Sequence, residues 1–135
     1  MNIAVTVAAM SKCKKNKVGA IIVDHNNRIV STGYNGSPKG TDNSCEDSDN
    51  ITFLTTLHAE LNAIIVAKQD LTGCKIYVTL SPCIRCAAII LQAGITEVNY
   101  AVPYRETEGI DYLTYHGVKV NRIDINLSHN KLRNV

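Results

Sequence analysis

The sequence predicts an α/β fold: a five-stranded mixed sheet with helices on both faces, a three-layer arrangement in one domain spanning residues 1–135. Three observations predict it. Of the 135 residues, 45% are hydrophobic and 19% charged, a globular balance with enough chain for one core and too little for two. Two β-branched runs near the start are separated by a polar turn. From residue 58 onward, segments of helical spacing alternate with short strand-like runs, an order that right-handed crossovers convert into parallel pairing.

The chain opens with MNIAVTVAAMSKCKK, an apolar stretch whose positive charges come after it. A secretory leader carries its charge before the apolar region, so this segment reads as a short helix of a cytoplasmic protein. VGAIIV (18–23) and RIVSTG (28–33), separated by DHNN, predict an antiparallel hairpin. The stretch from Tyr34 to Asn50 is rich in Gly, Pro, Asn, Asp and Ser, and a loop of that length carries a function or concealed structure. HAELNAIIVAKQ (58–69) has helical spacing, with Gly73 as its stop signal. KIYVTL (75–80) predicts a strand. CIRCAAIILQAG (83–94) predicts a helix with Pro82 beside its start and Gly94 as a left-handed cap. TEVNYAV (96–102) follows as a strand, GIDYLTYHG (109–117) as a short helix and VKVNRI (118–123) as the last strand. The tail SHNKLRNV is polar and reads as frayed or as a short terminal helix. No apolar run reaches the ~18 residues of a membrane span.

Five cysteines (Cys13, Cys45, Cys74, Cys83, Cys86) make an odd count, and together with the CxxC pair they argue against a disulfide framework and for metal or free thiols. Net charge is +2, and the one dense basic cluster, Lys12, Lys14, Lys15 and Lys17, reads as a solvated turn. With no tryptophan and one phenylalanine there is little surface on which bases could stack, so neither polymeric nucleic acid nor a membrane is an expected partner. Cys74, at a strand entry, reads as a small buried apolar group. His25, His116 and His129 read as structural or solvated, and Asp42, Glu46, Asp47 and Asp49 as solvated loop acids.

The chemistry concentrates in two short stretches, HAE (58–60) and SPCIRC (81–86). Cys83 and Cys86, three apart at a helix start, share one face, and the helix N-terminus favours their thiolates. The topology brings the helix beginning near His58 to the same end of the sheet. One imidazole and two thiolates make three zinc ligands and leave a fourth position open, the mark of a catalytic site. Water held there loses several pKa units. Glu60, two residues past the ligand histidine, can sit beside that water and move its proton to a ring nitrogen and a leaving amine. A CxxC alone could be a redox pair or half of a structural zinc knuckle; HxE joined with PCxxC is the pattern of zinc-dependent nucleobase deaminases.

Over nearly its full length the chain resembles the deoxycytidylate (dCMP) deaminases of the cytidine-deaminase-like zinc fold. The resemblance rests on SKC followed by VGAIIV, IVSTGYNGSPKG (29–40), HAELNAI (58–64), YVTLSPCIRCA (77–87) and QAGITEVNYA (92–101). The GYNGSPKG loop narrows it from the superfamily to dCMP deaminases. It implies zinc-dependent hydrolysis of dCMP to dUMP and ammonia, feeding thymidylate synthesis, with one catalytic Zn2+ on His58, Cys83 and Cys86 and with Glu60 shuttling protons. It also implies that Asn35 hydrogen-bonds the sugar and that the backbone around Ala59 and Ser81 holds the base edge. Tyr104 and Arg105, which follow the strand ending at Val102, lie at the sheet end where α/β folds hold ligands; Arg105, or a residue of a neighbouring subunit, is expected at the monophosphate. Family members are commonly hexamers, activated by dCTP and inhibited by dTTP. Those effectors would bind along Gly33, Tyr34, Gly36, Lys39 and Gly40, where backbone amides approach phosphates and Lys39 supplies charge, with Mg2+ accompanying the triphosphate. The stretch CEDSDNITFLTTL offers only Cys45 and acids to a second zinc of the kind some relatives carry. A tRNA adenosine deaminase or another nucleobase deaminase of the same superfamily, and a non-catalytic zinc-stabilised nucleotide-binding module, are the competing readings. The weak net charge stands against the tRNA enzyme and Glu60 against the binding module.

Overall fold

In the computed structural model, which describes residues 1–125, the chain runs α1 (Asn2–Ala8), β1 (Gly19–Val23), β2 (Ile29–Tyr34), α2 (Ala59–Ala67), β3 (Lys75–Leu80), α3 (Ile84–Gln92), β4 (Glu97–Val102), α4 (Glu108–Tyr115) and β5 (Lys119–Arg122). Every expected element is present. The polar tail and His129 lie outside the described residues.

The sheet order is β2-β1-β3-β4-β5. β1 pairs antiparallel with β2 and with β3, whereas β3–β4 and β4–β5 are parallel. Pairing is therefore evenly mixed, where helix–strand alternation alone implies a mostly parallel sheet. The crossover rule still holds: β2 and β3 run in the same direction, but β1 occupies the place between them. All five residues of β1 (GAIIV) are buried, as an unbroken apolar run requires of a strand covered on both faces.

Two cores follow from that burial. Ile22, Ile76, Val78 and Val98 on one face pack with Ala63 of α2, Ile90 of α3 and Leu113 of α4. On the other face Ile21 and Val23 pack against Ala4 of α1. Helices approach strands most closely where side chains vanish. A Cβ on Gly33 would lie inside 3.0 Å of the Ala59 carbonyl and the Ala63 amide, so β2 and α2 fit only because residue 33 is glycine. α2 stops at Lys68, itself left-handed at φ 50°, before Gly73 is reached. Gly94 is left-handed at φ 82°, as a cap after α3 requires.

The long stretch between β2 and α2 holds concealed structure. Gly36 bridges Leu57 and Glu46 bridges Thr52, both antiparallel. Contrary to the expectation of free thiols, Cys13 and Cys45 form a disulfide across a sequence separation of 32. Fold topology, invisible to a cysteine count, brings the two strands of loop together. Both residues are buried, at 2% and 1% exposure. Glu46 and Asp47 also depart from the solvated-acid expectation. The Glu46 carboxylate accepts from the backbone N–H groups of Lys14 and Lys15, and Asp47 Oδ1 accepts from those of Asp49 and Ile51. Cys74 is buried at 4%, and burial raises its thiol pKa. Among the described residues, no helix is long and apolar enough to cross a membrane.

Candidate functional site

Because β2 and β3 run the same way, the segments leaving them start helices at one end of the sheet. His58 and Cys83 occupy equivalent positions there. Each is the extended residue before a helix, with φ/ψ of −75°/156° before α2 and −70°/168° before α3, and neither side chain caps its own helix. Both are therefore released to point at a common centre. Cys86 adds a third donor from the first turn of α3.

His58 Nδ1 lies 3.6 Å from Cys83 Sγ and 3.4 Å from Cys86 Sγ. All three ligand atoms lie within 4.8 Å of one another, and they are the only such cluster among the described residues. A tetrahedron with Zn–S bonds of about 2.3 Å and Zn–N bonds of about 2.0 Å has S···N edges of about 3.5 Å. The donor set thus matches zinc in atom type and in spacing.

Protonation is divided unequally among these groups. A hydrogen bond from the Cys86 thiol holds the Cys83 thiol down to about 3, with the His58 ring adding to the effect. That same bond, together with burial, pushes Cys86 up, and hydrogen bonding to Cys83 raises His58. Zinc would bind these sulfurs as thiolates. Glu60, 4% exposed on the first turn of α2, has its carboxyl pushed up to about 7 by burial. Such a group both accepts and releases a proton near neutrality, and it is no solvated first-turn acid.

His58, Glu60 and Cys83 line a cavity of about 230 Å³ that also takes in Ala59, Ser81, Tyr104 and Asn35. Asn35 is already engaged: its Oδ1 accepts from the Val18 N–H and its Nδ2 donates to the Asn16 carbonyl, both at 2.8 Å. One amide hydrogen remains for a ligand. Arg105 lies elsewhere, with its side chain 82% exposed and beside Glu106 at 3.9 Å. Lys15, Asn16, Glu46, Thr52 and Thr56 complete the wall and escaped the sequence reading. The signal for Lys15 was its place two residues after Cys13; a basic cluster reads as solvated until a disulfide and the Glu46 clamp draw its backbone over a cavity. The glycine-loop residues Gly33, Tyr34, Gly36, Lys39 and Gly40 line a second cavity of about 580 Å³ with Lys12, Met10, Ile65 and Val66. Asn35 borders both cavities.

Comparison with known proteins bears on this geometry. The family described as the cytidine and deoxycytidylate deaminase zinc-binding region matches residues 1–102. An uncharacterized deaminase encoded in the luxG 3' region of Aliivibrio fischeri is 47% identical over 115 residues, covering 84% of this chain and 74% of that protein. The deoxycytidylate deaminase of Homo sapiens is 42% identical over 106 residues, covering 73% of this chain; the match spans 60% of the human protein's length. Among solved structures, the dCMP deaminase of cyanophage S-TIM5 in complex with dCMP and dUMP superposes with a TM-score of 0.85 at 40% identity, covering 90% of this chain and 92% of the other.

Proposed function

The chain belongs to the family of zinc-binding cytidine and deoxycytidylate deaminases, and from that premise we propose that it hydrolyses dCMP to dUMP and ammonia in the cytoplasm, supplying dUMP for thymidylate synthesis. The observation that carries the reading is the convergence of His58 Nδ1, Cys83 Sγ and Cys86 Sγ beside a buried Glu60. Zinc held by these three residues would supply an acidified water as the nucleophile for C4 of the cytosine ring. What remains for the chain's own residues is proton transfer and positioning. Glu60 takes one proton from the attacking water and hands it to ring N3. It then carries the second to the departing amino group, so that dCMP and water leave as dUMP and ammonia.

Ala59 and Ser81 are assigned to the base edge and the remaining amide hydrogen of Asn35 to the sugar. Lys15, which lines the cavity where Arg105 does not, is assigned to the monophosphate. Following ammonia release from dCMP, dCTP, cytidine and adenosine tests the assignment, with turnover expected on dCMP. Preference for adenosine would move the chain toward the tRNA deaminases, and a zinc-loaded protein inert on all four would make it a binding module.

Regulation is the finer part of the proposal. The cavity lined by Gly33, Tyr34, Gly36, Lys39 and Gly40 has the amides and the cation to take dCTP or dTTP with Mg2+, and Asn35 forms a wall common to it and the substrate cavity. A ligand there alters turnover only through different affinities for active and inactive arrangements. A tenfold preference, about 1.4 kcal/mol, is an ordinary coupling. dCTP should lower, and dTTP raise, the dCMP concentration giving half-maximal rate, and Lys39→Ala should weaken both effects. Met10, Ile65 and Val66 stand 57–59% exposed along the rim of the same cavity, which supports association into a homo-oligomer, a hexamer in our reading. Light scattering with and without dCTP measures the assembly.

A further inference from the structure

The loop between β4 and α4, residues 103–107, is fastened at three points to the turn that carries the metal ligand Cys83. Ser81 N–H donates to the Val102 carbonyl at 2.9 Å, closing the end of β4. Two residues on, the Tyr104 N–H donates to Ser81 Oγ at 2.6 Å. Pro103 has no N–H, so Tyr104 offers the first donor after the strand. At the far end, a Cβ on Gly109 would overlap the Pro82 carbonyl and the Cys83 backbone, so α4 starts in direct contact with the same turn.

Of these fastenings, only the middle one is made by a side chain. Ser81 is 3% exposed, and among the described residues its hydroxyl has no acceptor, although it already receives the Tyr104 N–H. Both Ser81 and Tyr104 line the substrate cavity, whereas the neighbouring Arg105 is exposed. The sequence reading gave Ser81 a backbone role at the base. The structure adds a role for its oxygen.

We propose that the Ser81 hydroxyl is a positioning group that sets Tyr104 in the wall of the substrate cavity, so that it governs nucleotide affinity through the aromatic ring and leaves the proton chemistry of Glu60 untouched. The inference rests on the dCMP reading above. The specificity consequence is local. A pyrimidine is held between a wall fixed by Ser81 and a metal site fixed by the same turn, so the two cannot drift apart.

The test is a double-mutant cycle on the zinc-loaded protein with Ser81→Ala, Tyr104→Ala and the pair. Loss of one neutral hydrogen bond should raise KM for dCMP roughly three- to tenfold in Ser81→Ala, with kcat within twofold and zinc content unchanged. In the Tyr104→Ala background the same substitution should change KM less than twofold, because the group through which it acts is gone. Hydrogen exchange at the Tyr104 amide, read without substrate, should quicken in Ser81→Ala. Should Ser81→Ala lose zinc, Ser81→Thr, which keeps the acceptor, should hold the wild-type KM and the slow amide. Additive effects of the two substitutions, a fall in kcat at constant KM, a raised KM in the threonine variant, or an unchanged amide exchange rate would overturn the proposal. Failure of the wild type to deaminate dCMP would overturn the functional reading itself, while the amide measurement still decides the anchor.

Discussion

Replacing Gly33 with alanine should damage the site without altering any metal ligand or Glu60. The added methyl would overlap the Ala59 carbonyl and Ala63 amide and stand 3.0 Å from the Ala63 Cα, all of them backbone, so no side chain can swing aside. Either β2 or α2 must move. β2 is held in register with β1 from Gly19↔Tyr34 to Val23↔Ile29, so the helix is the part that yields. Relieving the overlap takes a displacement of about 1 Å, and a misplacement of that size at a reacting centre costs about 10²-fold. His58 and Glu60 ride on that helix start, so kcat/KM should fall by about one to two orders of magnitude. Overpacking of this kind also costs about 1–3 kcal/mol, which for a domain of this size lowers Tm by roughly 5–10 °C. Gly36, whose Cβ would meet nothing within 4 Å, is the control: Gly36→Ala should melt within about 2 °C of wild type. Thermal melts, zinc analysis and steady-state kinetics on both variants read the outcome. A Gly33→Ala protein with wild-type melting and kcat/KM within threefold would show that the contact between β2 and α2 does not set the metal site.

Four other substitutions probe the proton shuttle, the metal ligands and the disulfide. Glu60→Gln should keep zinc and fold, and lose about 10²–10⁴-fold in kcat, because one carboxyl serves successive proton transfers; a rate within tenfold of wild type would place the shuttle elsewhere. Cys86→Ala removes a ligand from the first turn of α3, so metal analysis should find zinc lost and chemical unfolding should begin earlier. Full occupancy in both Cys83→Ala and Cys86→Ala would refute the ligand set. Cys45→Ser opens a loop of 32 residues and should cost about 3–4 kcal/mol, visible as a lower urea midpoint; an unchanged midpoint would mean that Cys13 and Cys45 are not bonded in solution.

Much of this protein is legible in its sequence because its signals are local. Val-rich runs, Gly94 at φ 82° and the HxE and PCxxC stretches each act within a few residues of themselves. The topology those elements predict then places two helix starts at the same end of the sheet. What escaped the reading depends on pairs distant along the chain. Cys13 and Cys45 meet only after the long loop folds back, and Glu46 reaches Lys14 and Lys15 across the same gap, which turns a basic cluster into a cavity wall. Gly33 looked like part of a phosphate-binding loop, yet its tightest demand is helix packing, since the partner backbone lies 26 to 30 positions away. Arg105, expected near the phosphate from its position after a strand, has an exposed side chain beside Glu106.

The central position of β1 also sets the order in which the molecule can assemble. His58 follows β2 and Cys83 follows β3, and the two strands are not neighbours in the sheet; β1 lies between them, pairing Ala20 with Gly33 on one edge and with Val78 on the other. The first of those pairings closes a short hairpin. The second spans more than fifty residues, the kind of contact that forms slowly because loop closure must precede it. A metal ion meeting the chain early finds Cys83 and Cys86 together and the imidazole still elsewhere. Zinc therefore acts as a latch on the finished sheet rather than as a nucleus for it. Its presence should slow unfolding strongly while leaving the refolding rate nearly unchanged, as expected of an interaction absent from the transition state.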